Sequence, residues 1–191
     1  ALPQMSEIYK TPEKEKAYFV TFTIVEWINV LQDIEYKMVI VNAIKFYQQN
    51  RGLLVYAYCI MPNHVHMIIQ SNGEETVSEV LRDLKKFTSK EIIKKLQTGG
   101  KNEAILSEFR KAGEKLKRIK NYKVWQDGNH AKVLYSNKFI WQKLNYIHNN
   151  PVKAGLAERP EEYMFCSVRN YMDLDGIIDV ILIAKELITV K

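Results

Sequence analysis

The sequence predicts an α+β fold: a ferredoxin-like, split βαβ arrangement with a four- to five-stranded antiparallel sheet and helices on one face. Three observations carry this prediction. Short alternating or apolar runs alternate with long helical stretches in the order strand, helix, strand, strand, helix, with a final strand and helix. A Met-Pro-Asn turn is all that separates the second and third strands. The 191 residues are 47% hydrophobic and 26% charged, enough to bury one core. Residues 1–175 are expected to form a single domain, with 176–191 as a C-terminal appendage.

Ala17–Val25 alternates and is rich in β-branched and aromatic residues, which favours a strand. Val20, Phe22 and Ile24 should face one way, and Phe19, Thr21 and Thr23 the other. Ile34–Asn50 lacks Gly and Pro, carries a helical stripe through Met38, Val41, Ile44 and the stem of Lys45, and ends at Arg51-Gly52. Leu53–Ile60 reads as a buried strand and His64–Gln70 as its partner, closing at Ser71-Asn72-Gly73. Thr76–Leu96 is a helix with Thr76 and Glu79 spaced as a capping box, and Val77, Val80, Leu81, Leu84, Phe87, Ile92 and Leu96 near helical spacing. Asn102–Lys120 reads as a second basic helix bent near Gly113. Val124-Trp125 and Lys132–Tyr135 read as strand pieces around Asp127-Gly128. Ser136 caps a helix expected to run from Asn137 to about Asn149, where Pro151 ends it. A short apolar element, Ile177–Val190, follows a Pro-marked stretch.

Composition narrows the function classes. Two cysteines, Cys59 and Cys166, make neither a disulfide framework nor a zinc spacing, so a reduced, cytoplasmic setting is expected. No run reaches the roughly 18 apolar residues of a membrane span, and ALPQMSEIYK lacks a signal-peptide layout. Residues 82–123 hold 14 Lys/Arg against 5 Asp/Glu, whereas the remainder holds 14 against 17. The positive field therefore belongs to one segment, and such a surface either attracts a phosphate backbone or is a solvated helix face.

Two features carry chemistry. In Met61-Pro62-Asn63-His64-Val65-His66, the period of a strand puts His64 and His66 on one face and Val65 on the other. With Val65, Met67 and Ile69 packed against the helices, both imidazoles are left on the open face, where a pair can clamp a divalent cation. A third, oxygen-bearing ligand would have to come from elsewhere; the alternative is a pair of ordinary core or surface histidines. In Leu144-Asn145-Tyr146-Ile147-His148-Asn149-Asn150-Pro151-Val152-Lys153-Ala154-Gly155, Tyr146 and Asn150 lie one helical turn apart. Read alone, Tyr146 is a packing residue, Asn150 a helix cap and Lys153 a surface charge.

Together the two stretches, about 80 residues apart, resemble the single-tyrosine HUH transposases, and within them the REP-associated tyrosine transposases related to small insertion-sequence enzymes. The resemblance runs from Tyr18–Thr23 through Trp125-Gln126 to Arg159-Pro160-Glu161-Glu162-Tyr163 and Ser167. It implies that His64 and His66 hold a divalent metal, Mg²⁺ or Mn²⁺, that the Asn150 amide completes its ligand set, and that Tyr146 is the nucleophile. Tyr146 would then ride on a catalytic helix near the open sheet face. The implied activity is cleavage and rejoining of single-stranded DNA beside hairpins through a 5′-phosphotyrosine link. Many members carry an Asp-His pair soon after the Trp-Gln motif; in that register stand Ala131 and Lys132, and the histidine is His130. The stretch from Gly99 to Lys123 is longer than in compact members.

On this view Arg82, Lys85, Lys86 and Lys90 would track the DNA backbone, Lys132 and Lys153 would contact phosphate, and an exposed Tyr or Phe of the sheet would stack on bases. His148, two residues from Tyr146, points away and has no catalytic role. Whether two subunits pair as a homodimer is left open. Two other readings compete. A non-catalytic single-stranded nucleic-acid-binding module or domesticated regulator would bind in a salt-dependent way and form no covalent adduct. A metal-dependent phosphodiesterase using activated water would cleave without needing Tyr146.

Overall fold

The computed structural model describes residues 16–99, 102–114 and 122–184. Four strands, β1 (Tyr18–Thr23), β2 (Leu53–Ile60), β3 (His64–Ser71) and β4 (Lys132–Val133), form one sheet in the order β2-β3-β1-β4. All three pairings are antiparallel. The crossover helix α1 (Ile34–Asn50) carries the chain from β1 to β2, leaving β3 between them. That is the split βαβ topology expected from the element order.

Alternation along the strands decides what each face meets. Val20, Phe22 and Ile24 of β1 and Val65, Met67 and Ile69 of β3 join the main core beneath α1 and α2 (Val77–Thr98). Phe19 and Ile68 belong to a second, smaller core with Leu144 and Ile147 of α4 (Asn137–Lys153). The face opposite α1 and α2 is therefore partly covered by α4. Phe19, at 6% exposure, lies buried there, so this sheet aromatic is not free to stack on a base.

The helix boundaries have local causes. The Thr76 hydroxyl accepts from the Glu79 N–H while the Glu79 carboxylate accepts from the Thr76 N–H, the reciprocal cap expected. Phe87 instead faces out, and Thr88 takes the inner position, donating to the Leu84 carbonyl and accepting from the Trp125 indole at 3.0 Å. In α1 the buried stripe runs through Val39, Ile40, Val41, Ala43 and Ile44, with Met38 partly buried and Lys45 exposed. Helix α3 spans Glu103–Glu114; residues 115–120 of the expected basic helix lie outside the described residues.

Helix α4 departs from expectation by running through Pro151 to Lys153. Pro151 cannot donate to the Ile147 carbonyl, and the Cys166 thiol approaches that oxygen at 3.9 Å in its place. The last turn closes on Ala154 N–H to Asn150 C=O at 3.0 Å, and Gly155 then leaves with φ +69°. The helix α5 (Val168–Tyr171) follows.

The outer edge of β2 is covered rather than bare. Ile60 N–H donates to Phe165 C=O and Ser167 N–H to Tyr58 C=O, both at 2.9 Å. Beyond α5, residues 176–184 have neither helix nor strand, yet they pack onto the same edge. Ile178 is fully buried, and Ile181 N–H donates to Val55 C=O at 2.9 Å. These contacts block edge-to-edge pairing of the sheet. Residues 185–191 lie outside the described residues.

Candidate active site

The β1–β3 register places Thr21 opposite His66 and Thr23 opposite His64. Strand parity turns all four side chains toward α4. They line an open cleft of about 600 Å³ with Phe19, Trp27, Gln126, His130, Lys132, Lys143, Tyr146 and Asn150. His64 and His66 of β3 and, about 80 residues on, Tyr146 and Asn150 of α4 therefore converge on one cavity.

Each imidazole is oriented by its Nδ1. His64 Nδ1 lies 2.7 Å from Asn63 Oδ1, and His66 Nδ1 lies 2.7 Å from the Thr21 hydroxyl. The Asn63 amide is itself fixed, because its NH₂ group donates to the Trp27 carbonyl at 3.2 Å and to Asn29 Oδ1 at 2.8 Å. A carbonyl only accepts, so Asn63 must turn its own oxygen to His64. His64 Nδ1 then carries the proton and Nε2 keeps its lone pair. The two rings meet edge to face at 4.6 Å between centroids. Burial holds His64 down to about 4; burial, then the charges of His64 and Lys143, hold His66 down to about 3. Both rings are thus neutral near pH 7, the form that ligates metal. The donor chemistry fits a small divalent cation on two imidazole nitrogens, with the Asn150 amide on the same cleft wall as an oxygen source.

Tyr146 approaches from α4. Its hydroxyl lies 3.5 Å from His66 Nε2, and its ring meets that of His66 edge to face at 5.1 Å. Phe19 stacks beneath His66 at 5.7 Å and supports the Tyr146 ring at 5.9 Å. Two ammonium groups flank that phenol, Lys143 Nζ at 5.6 Å and Lys153 Nζ at 5.9 Å from the ring centroid. Burial, together with the charge of Lys132, lowers the Lys143 pKa. His148 faces away from the cleft; it is buried against Ser167, with Nε2 3.1 Å from the hydroxyl.

The expected DNA-contacting cations separate into three groups. Lys132 lines the cleft, and Lys153 lies near the Tyr146 ring with Nζ 5.9 Å from its centroid. Arg82, Lys86 and Lys90 are exposed on α2, which packs against the opposite sheet face, and Arg82 pairs with Asp83 at 2.8 Å. Lys85 departs from its expected role as a backbone contact. Its ammonium donates to the carbonyls of Gln126 at 2.8 Å and Gly128 at 2.9 Å and to Asn129 Oδ1 at 3.3 Å. Burial pulls it down to about 8, and its donors hold a loop rather than a phosphate.

Sequence reasoning missed Thr21, Trp27 and Lys143. Lys143 stands three residues before Tyr146, a spacing that shares a helix face and could have flagged it. His130 does reach the cleft, from a loop where it adopts φ +42°.

Comparison with known proteins finds transposases. Residues 17–109 match the family model described as "Transposase IS200 like"; the match includes both cleft histidines and stops before Tyr146. A curated Haemophilus influenzae protein named "Putative REP-associated tyrosine transposase" is 24% identical over 112 residues, covering 58% of this chain. That alignment spans 56% of the relative's own length. Among solved structures, a REP-associated tyrosine transposase bound to a REP hairpin superposes with a TM-score of 0.63 at 20% identity, covering 97% of this chain and 100% of that one. The fold is thus shared along nearly the whole chain, and residues 17–109 are similar to the IS200-like transposases.

Proposed function

We propose that the protein is a metal-dependent endonuclease and strand transferase acting on single-stranded DNA. The observation that carries this reading is the 3.5 Å approach of the Tyr146 hydroxyl to His66 Nε2 in a cleft shared with His64 and Asn150. A phosphodiester resists attack because its charge repels nucleophiles and its alkoxide leaves poorly. His64, His66 and Asn150 would hold Mg²⁺ or Mn²⁺, which would neutralise that charge when bound.

The chain's own residues do the rest. Tyr146 Oη attacks the phosphorus, an Oη–P bond forms and the P–O3′ bond breaks. The phenolic proton leaves to solvent, and the departing oxygen takes one up as a free 3′-hydroxyl. An ordinary phenol titrates about three units above neutrality, so it needs stabilisation as phenolate. Lys143 and Lys153, whose ammonium groups lie near that ring, can offset the charge of the attacked phosphate. Phe19 and the His66 ring hold the phenol in place. Because the 5′-phosphotyrosine keeps the energy of the broken bond, a 3′-hydroxyl can reverse the step without a nucleotide cofactor. A hairpin-bearing strand is the natural first substrate, since the solved relative of like fold is bound to a REP hairpin.

The test is incubation with hairpin-bearing single-stranded DNA and Mg²⁺ or Mn²⁺. Wild-type protein should form a covalent adduct that chelator abolishes and Tyr146→Phe lacks. Chelator-resistant cleavage would remove the metal from the scheme. Cleavage by Tyr146→Phe without an adduct would favour activated water, and binding with neither cleavage nor adduct would favour a non-catalytic module.

A further inference from the structure

Packing does not explain Trp27. Its indole is 59% exposed, yet its backbone sits at φ +56° directly after Glu26 at φ +52°. Left-handed geometry crowds the Cβ of any L-residue, and bulky side chains rarely adopt it. Two in succession, the second an exposed aromatic, is the opposite of what stability alone selects. The segment is nonetheless tightly held. Trp27 N–H donates to Ile24 C=O at 3.1 Å, the Asn63 amide donates to Trp27 C=O at 3.2 Å, and the Gln126 amide donates to Ile24 C=O at 3.2 Å.

This strained turn aims the indole. Its ring stands 5.8 Å from that of His64, so it forms part of the active-site wall. The same side chain lines a second cavity of about 380 Å³, with Val25, Glu26, Ala112, Lys123, Gln126 and Asp127. Trp27 and Gln126 line both cavities, so the second lies directly beside the histidine cleft, with these two side chains at the boundary. The second cavity does not suit a phosphate: Glu26 and Asp127 are acidic, and Lys123 is already paired with Asp127 at 2.8 Å. It suits a nucleobase, which offers a π-face to the indole and donors and acceptors to a carboxylate and an amide.

We propose that Trp27 is the stacking platform for the base beside the scissile phosphate, and that the cavity it borders receives the edge of a flanking base. Glu26, Trp27 and the adjoining pocket form a base-reading subsite for single-stranded DNA. This rests on the single-stranded DNA reading above and adds to it the position where sequence is sensed.

The experiment uses hairpin oligonucleotides with a randomised single-stranded flank. Adducts captured by wild-type protein, once sequenced, should show base preference next to the cleaved bond. Trp27→Asn suits left-handed backbone and should shift the melting temperature by no more than about 2 °C. It should weaken binding of the same oligonucleotides roughly five- to a hundredfold and flatten preference at that position. Trp27→Phe should restore much of both. An unchanged affinity and base profile in folded Trp27→Asn would overturn the subsite while leaving strand transfer standing. Should wild-type protein form no adduct, the strand-transfer reading fails on its own. The subsite is then judged by fluorescence anisotropy in chelator: weaker binding by Trp27→Asn upholds it, and equal binding removes it.

Discussion

At the scale of single residues, the arrangement turns on which nitrogen of His64 carries its proton. The order of control runs from the Trp27 carbonyl to the Asn63 amide to His64 Nδ1, and ends by presenting Nε2 as a lone pair. Outer partners of this kind usually change metal affinity ten- to a hundredfold. Titration calorimetry with Mn²⁺ should therefore show binding to Asn63→Ala weakened by about that factor. Asn63→Asp, which keeps an oxygen for Nδ1–H, should bind more tightly than Asn63→Ala. In a His64→Ala background the same Asn63 substitution should change little, because the ring it orients is gone. Equal affinities for wild type and Asn63→Ala would show that the amide does not orient a ligand. His64 and His66 were legible in the sequence because strand period alone puts them on one face. Thr21 was not, because its contact with His66 depends on the β1–β3 register, which pairs residues 45 positions apart.

At the scale of elements, the loop from Gln126 to His130 is held from behind by a helix. Lys85 of α2 donates to two of its carbonyls and to the Asn129 side chain, while Thr21 N–H donates to Asn129 C=O at 2.8 Å. Lys85→Met keeps most of the stem and removes every donor, leaving those carbonyls short of partners. The expected loss is about 1–3 kcal/mol of unfolding free energy, read by denaturant titration near pH 7. A loss no larger than that of Lys86→Met, on the exposed face of the same helix, would show that the clamp contributes nothing. Helical phase could not reveal this, since Lys85 is half-buried by a loop some forty positions along the chain. The same limit explains Phe87 and Thr88, whose places are decided by Trp125. Helix α4 shows the converse error. The local preference against helix before proline is real, but the packing of Leu144, Ile147 and Pro151 and the Cys166 thiol at the orphaned carbonyl carry the helix onward.

At the scale of the whole molecule, the two cores divide the labour. The larger, under α1 and α2, fixes the sheet; the smaller, under α4, docks the tyrosine helix over the imidazoles of the same chain. Strand order was readable from element order, but which subunit supplies the phenol was not, because sequence spacing cannot separate a contact within a chain from one between two chains. Here Tyr146 reaches His66 of its own chain. If catalysis uses this arrangement, damage to the two halves of the site cannot be repaired by mixing. Tyr146→Phe and a His64→Ala, His66→Ala double variant, each inactive, should remain inactive when co-expressed or mixed at any ratio. Recovery of the covalent adduct in the mixture would mean that helix α4 leaves its own sheet and serves a partner's histidines during the reaction. The docking of Leu144 and Ile147 against Phe19 and Ile68 argues against that exchange, since it would expose the smaller core.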